Sequence, residues 1–187
     1  MKTLILGLIA ICSVTLTFAQ TDPRGAVDSN PINFLGIQVA GNLDLFLQKI
    51  EEKGFKISEE SKSNESVLKG NFLGQNADVL VLSTKGTDQV YAVVVLLPQE
   101  NNWNTLKANF KILKNSFVAL YGKPEENSHH FTMPFDDVQD ELQKVQLGMC
   151  DYSCSWSSPK ITLAITKSAR IMITYENDVN FQMYAGL

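Results

Sequence analysis

The chain has 187 residues, 44% of them from the hydrophobic set, with 20 acidic against 16 basic side chains and a net charge of −4. That is enough apolar material for one packed domain, so neither a metal nor a disulfide is obligatory for stability. The mild acidity and the scatter of Lys and Arg along the sequence argue against nucleic acid or anionic lipid as partner, because phosphate neutralisation needs clustered cations.

A leader comes first in chain order. Lys2 supplies a positive end, Leu4 to Leu16 an apolar core, and Thr17-Phe18-Ala19 the small residues that a signal peptidase needs, so cleavage is expected after Ala19. The apolar run of roughly 15 residues falls short of the roughly 20 that span a bilayer. Cys12 lies inside that run with Ile11 before it, which does not suit lipidation. The sequence therefore predicts a signal peptide over 1–19, a flexible polar segment over 20–31 and a single domain over 32–187, periplasmic or secreted, with no stable membrane insertion after cleavage.

Phe34 to Val39 reads as a short strand or extended entry. A helix follows: Asn42 can cap it, Leu43, Phe46, Leu47 and Ile50 form its apolar stripe, and Gly54 stops it. Ser66 to Leu73, Ala77 to Ser83 and Gln89 to Leu97 are β-rich and divided by turn compositions, which predicts an antiparallel meander. The last two strands are apolar on both alternations, a pattern of central strands or of strands covered on both faces. The longest helix is expected over 104–121, capped by Asn104 or Thr105, with Leu106, Phe110, Leu113, Phe117 and Leu120 on its packed side.

Glu125 to His130 reads as a polar connection and Phe131-Thr132-Met133 as a short strand. A third helix would be capped by Asp136, with Val138, Leu142 and Val145 on one face and Gly148 as its stop. A second meander closes the chain. Cys150, Tyr152, Cys154 and Trp156 alternate with Asp151, Ser153, Ser155 and Ser157, and the strands through Leu163 and Ile173 alternate likewise. The predicted class is α+β: two three-stranded antiparallel meanders, each preceded by a helix, with the long helix packed on the sheet and an internal pseudo-repeat in prospect.

No catalytic or cofactor motif follows the leader. Cys150 and Cys154 form an even pair that invites a disulfide in an oxidising compartment, yet a regular strand would hold their α-carbons about 13 Å apart, against the roughly 7 Å limit for a bridge. Two buried, inert thiols are the alternative. His129 and His130, with Asp136 nearby, are weak metal candidates; adjacent histidines in a strand point to opposite faces, and nothing resembles H-E-x-x-H. Trp103 and Trp156 read as core, with Trp103 stapling the first turn of the long helix, rather than as sugar platforms. The hydroxyl stripe of Ser153, Ser155, Thr162, Thr166 and Thr174 is an expected exposed sheet face on which a partner could dock.

Phe34-Leu35-Gly36-Ile37-Gln38-Val39-Ala40-Gly41, the helix ending Lys53-Gly54-Phe55, the meander through Val90-Tyr91, the helix ending Tyr121-Gly122-Lys123-Pro124 and the strand Ile171 to Tyr175 resemble the uncharacterised secreted and periplasmic proteins of Bacteroidetes-type bacteria. The leader ending Phe18-Ala19-Gln20 is similar to theirs. The order of pieces is more loosely similar to β-lactamase-inhibitor-like modules and outer-membrane-assembly lipoprotein domains, which bind other proteins. These resemblances imply an exported fold and carry no assigned activity or catalytic residues. The reading is a non-enzymatic binding module of the cell envelope, with an unknown protein or envelope glycan as partner and no cofactor. The alternatives are a hydrolase or metal-dependent enzyme using His129 or His130 with nearby carboxylates, and a secreted inhibitor or structural envelope component.

Overall fold

The computed structural model describes residues 32–58, 64–131 and 140–185. The leader, the segment 20–31, and Thr132, Met133, Asp136 and Val138 lie outside the described residues.

The first strands form a small hairpin, β1 (Asn33–Phe34) and β2 (Ile37–Gln38), where the sequence suggests one extended entry. Leu35 and Gly36 both take positive φ, 52° and 80°, and this reverses the chain within two residues. Phe34 is thereby placed against Phe55, Phe72 and Tyr175, with ring centroids 6.3, 5.7 and 5.5 Å away. Helix α1 (Leu43–Glu51) has Asn42 as its cap, the side-chain oxygen accepting from the Asp44 N–H at 3.0 Å, and it buries Leu43, Phe46, Leu47 and Ile50.

Strands β3 (Lys56–Ile57), β4 (Glu65–Phe72), β5 (Gln75–Ser83) and β6 (Val90–Leu96) follow, and helix α2 (Trp103–Tyr121) leads out of them. Gly70 on β4 is a required glycine, because a Cβ there would lie 2.4 Å from the Phe55 ring. The cap of α2 is Asn102, which accepts the Thr105 N–H at 3.0 Å, not Asn104 or Thr105. Trp103 consequently stands inside the first turn, buried against Phe131 and Tyr152 with both centroids at 5.0 Å. Leu120, 72% exposed, does not join the stripe, which ends at Phe117.

The expected polar connection Glu125 to His130 is largely a strand, β7 (Glu126–Phe131). It is polar on both faces because it is an edge, so its sequence lacks alternation, and its backbone is held by pairing with β8. Helix α3 (Glu141–Gln146) is capped by Asp140, accepting from the Leu142 N–H at 3.0 Å. Strands β8 (Cys150–Ser157), β9 (Lys160–Ile165) and β10 (Ile171–Glu176) and helix α4 (Asp178–Ala185) complete the chain.

The fold is α+β. The main sheet has eight strands in the order β3-β4-β5-β6-β10-β9-β8-β7, and every neighbouring pair in it is antiparallel. One face is the floor of the core: Leu68, Val79, Val95, Ile173, Leu163 and Cys154 follow one another across the strands, each at most 1% exposed. The core is closed by the hairpin and by the apolar stripes of α1 and α2. Full burial of each large apolar side chain contributes about 1.5–3 kcal/mol.

The two halves of the sheet meet at β6 and β10, paired from Leu96–Met172 to Ala92–Glu176. Arg170 clamps this joint. Its Nε donates to the Leu97 carbonyl at 2.6 Å, and its terminal nitrogen donates to the Leu96 carbonyl at 2.9 Å and to the Asp78 carboxylate on β5 at 2.6 Å. Bonds to a charged, partly buried donor are worth about 1.5–3 kcal/mol. Arg170→Met is expected to lower the unfolding free energy by about that amount in urea melts; an unchanged midpoint would remove the clamp from the account.

Candidate functional site

The second face of the main sheet is open on much of its area and divides in two. One cross-strand row runs Glu126, Ser155, Thr162, Thr174, Val94, Leu80 and Val67, each residue paired with the next. The β7 to β10 half presents hydroxyl and carboxylate groups; the β6 to β4 half presents aliphatic side chains, and Val94, Leu80 and Val67 are half-buried. The division follows from sequence: β8 to β10 place small hydroxylic residues outward, whereas β5 and β6 are apolar on both alternations.

The polar half holds a groove of about 440 Å³, lined by Ser153, Ser155, Ser157 and Thr162 together with Glu125, Glu126, Lys160 and Asp178. Its acids are anchored by its hydroxyls. Glu126 accepts from Ser155 at 3.2 Å, and Glu125 accepts both the hydroxyl and, at 3.3 Å, the N–H of Ser157. At the far wall the Lys160 ammonium sits between Glu176 and Asp178, donating to Asp178 at 2.6 Å. Partial burial works against the Lys160 charge, but its bonds to Asp178 and Glu176 outweigh this and raise its pKa above the ordinary value. Carboxylates bonded by hydroxyls, beside a fixed cation, form an array suited to binding polar groups.

Of the stripe expected from sequence, Ser153, Ser155 and Thr162 are in the groove and Thr174 is paired with Thr162. Thr166 is not part of it: its hydroxyl is engaged with Ser168 and with the backbone of Arg170, closing the β9–β10 turn. Glu125 and Glu126 are among the carboxylates near the histidines in sequence but bond Ser157 and Ser155 instead, and Lys160 and Asp178 carry no local signal as site residues. They become neighbours only when β7 pairs with β8 and α4 follows β10.

The two histidines are on opposite faces of β7. His130, on the open side, shares a hydrogen bond with Ser128 at 2.9 Å, and Ser128 donates to Asp151 at 2.8 Å. Ser153 also donates to Asp151, at 3.1 Å. The Ser128 bond, with help from Ser153 and His130 against slight burial, holds the Asp151 carboxyl below its ordinary pKa. The serine stands between acid and imidazole, so its proton is given to Asp151 and not to His130; hydrolytic triads need the imidazole in the middle.

His129 points to the helix side. Its ring lies 5.8 Å from Phe110 and 5.4 Å from Tyr152, and its Nε2 is 3.3 Å from the Lys114 ammonium. Since an ammonium has only protons to give, Nε2 accepts and the ring proton resides on Nδ1. Partial burial first, then the charges of Lys114 and Lys107, lower the pKa of His129 below 6.5.

Cys150 and Cys154 are both free, and the candidate bridge between them is corrected. Both lie in the extended strand β8, where four residues span about 13 Å, too far for a disulfide. Burial pushes each thiol up to about 11, which leaves them protonated and weakly reactive. No group of three His, Cys, Asp or Glu side chains able to hold a metal occurs among the described residues, and Asp136 is outside them. No helix among them is long and apolar enough to cross a membrane. Comparison of the chain with protein families, curated proteins and solved structures finds no match.

His129 supplies a pH test. Its folded pKa is lowered, so between that value and about 6.5 the unfolded chain takes up a proton that the folded chain refuses, and this contribution to stability falls as pH drops below about 6.5. In an NMR titration the His129 imidazole is expected to have its midpoint below 6.5, moving upward in Lys114→Gln. A midpoint at or above 6.5 in the parent chain would contradict the assigned environment.

Proposed function

We propose that the chain is an exported, non-enzymatic binding module of the cell envelope that engages its partner through the open face of the sheet. The observation that carries this is the cross-strand row from Glu126 to Val67, a single face with a hydroxyl and carboxylate half beside an aliphatic half. Protein-binding surfaces commonly join an apolar centre to a polar rim. The row is wide enough for such a surface, so a protein is the preferred partner. The four hydroxyls of the groove favour an envelope glycan as the second reading.

The hydrolase reading has less support. The groove with carboxylates has no histidine in its lining, and the cleft that contains His129 is lined by lysines rather than acids. Catalysis by acid and base needs both within hydrogen-bond reach of one reacting atom. Export rests on the composition of residues 1–19, and the likeness to secreted Bacteroidetes-type proteins agrees with it.

The order of elements also supports an internal pseudo-repeat. Helix α1 precedes β3, β4, β5 and β6; the long helix α2 precedes edge strand β7, and helix α3, the counterpart of α1, then precedes β8, β9 and β10. The two series run from opposite edges of the sheet to adjacent central strands.

The test is capture from envelope extract with the immobilised protein, parent beside Thr162→Arg and Leu80→Glu, each variant first shown to melt like the parent. A protein or glycan retained by the parent and lost by at least one variant is expected. Equal recovery by all three, or no specific recovery, would overturn the proposal.

A further inference from the structure

On the helix side of the sheet, α2 and the edge strand β7 bound a cleft of about 330 Å³. Its rim is basic. Lys107, Lys111 and Lys114 recur at i, i+4 and i+7, which puts them on one helix face over about 10 Å of axis. Its floor is ring-lined by Phe110, His129 and Tyr152. Lys114 donates to Asn127 at 2.7 Å, and the Lys107 ammonium lies 6.0 Å from the rings of Trp103 and Tyr152. Among the described residues no carboxylate pairs with any of these lysines.

The three ammonium groups share one wall of the cleft, and among the described residues no carboxylate neutralises them. They repel one another, and an anion seated among them would relieve that repulsion. The sequence conceals the cluster because helical spacing, not adjacency, creates it. The volume falls within the range of small-molecule sites, roughly 300–1,000 Å³. A bare inorganic anion would satisfy the lysines and leave the ring floor unused. An uncharged aromatic would do the reverse.

We infer that the cleft between α2 and β7 binds a small aromatic organic anion, its phosphate, sulfate or carboxylate group among Lys107, Lys111 and Lys114 and its flat body over His129 and Tyr152. The site is independent of the proposed partner surface, which is on the other face of the sheet. His129 and His130 are the only histidines in the chain and straddle the same strand, so one of them is inside the site and the other outside it. His129 reports binding and His130 serves as the internal control.

The probe is 1-naphthyl phosphate, compared with inorganic phosphate and with 1-naphthol by isothermal titration calorimetry and imidazole NMR on the full mature chain. Naphthyl phosphate is expected to bind at least about tenfold tighter than either fragment, to weaken with added salt, and to shift the His129 resonances while those of His130 stay in place. Lys111→Gln, an exposed position, is expected to weaken binding about fivefold to tenfold with an unchanged melting temperature. Thr162→Arg is expected to bind the probe as the parent does, which separates this site from the open face. No binding at millimolar probe, equal binding of 1-naphthol, equal binding of inorganic phosphate, unchanged affinity in Lys111→Gln, or shifts confined to His130 would each overturn the inference.

Discussion

The antiparallel pairing of β6 with β10 is the contact on which the remaining structure depends. It is the ladder that makes one sheet out of strands β3 to β6 and β7 to β10. Because side chains alternate along a strand, this register assigns the paired residues of both halves to a face, as far as the shift at Leu82/Ser83 in the β5–β6 ladder. A slip of one residue would put Val93 and Val95 on the open side and bring Val94 and Leu96 into the core opposite an unchanged β10. Arg170 opposes such a slip, since its guanidinium reads two successive carbonyls at the end of β6 and a carboxylate on β5 at once.

Function inherits this division. Once one face is covered by α1, α2 and the β1–β2 hairpin, the other is left to display what the outward alternation carries: Ser153, Ser155, Thr162 and Thr174 on one half, Val94, Leu80 and Val67 on the other. The edge strand β7 contributes to both sides, giving Glu126, Ser128 and His130 to the open face and Asn127 and His129 to the helix side. Two clefts of opposite character therefore lie back to back through the same strands. The acidic one is stabilised internally by hydroxyls and Lys160, whereas in the basic one Lys114 donates to Asn127 and faces the His129 Nε2.

What the sequence disclosed, and what it hid, follows from burial. The alternation from Cys150 to Tyr175 was legible because one side of each strand is apolar and the other hydroxylic, and the Leu43, Phe46, Leu47 and Ile50 stripe was legible because a capped helix half-buried on a sheet must show it. Strand β7 was not, since an edge exposed on both sides carries no period; its partner β8 holds it. The cap of α2 was misplaced because Asn102, Asn104 and Thr105 have equivalent chemistry, and only the packing of Trp103 on Phe131 and Tyr152 selects the first. The groove acids and the lysine cleft are products of pairing between distant segments, which no local pattern records.

Native-state amide hydrogen exchange on the full chain tests the joint most directly. The β6 and β10 amides that bond each other are expected to be among the slowest to exchange and to open with one common free energy, equal to that of global unfolding. Exchange from β10 markedly faster than from β6, or two separate opening energies for the strands on either side, would mean that the halves are not one sheet and would contradict the account.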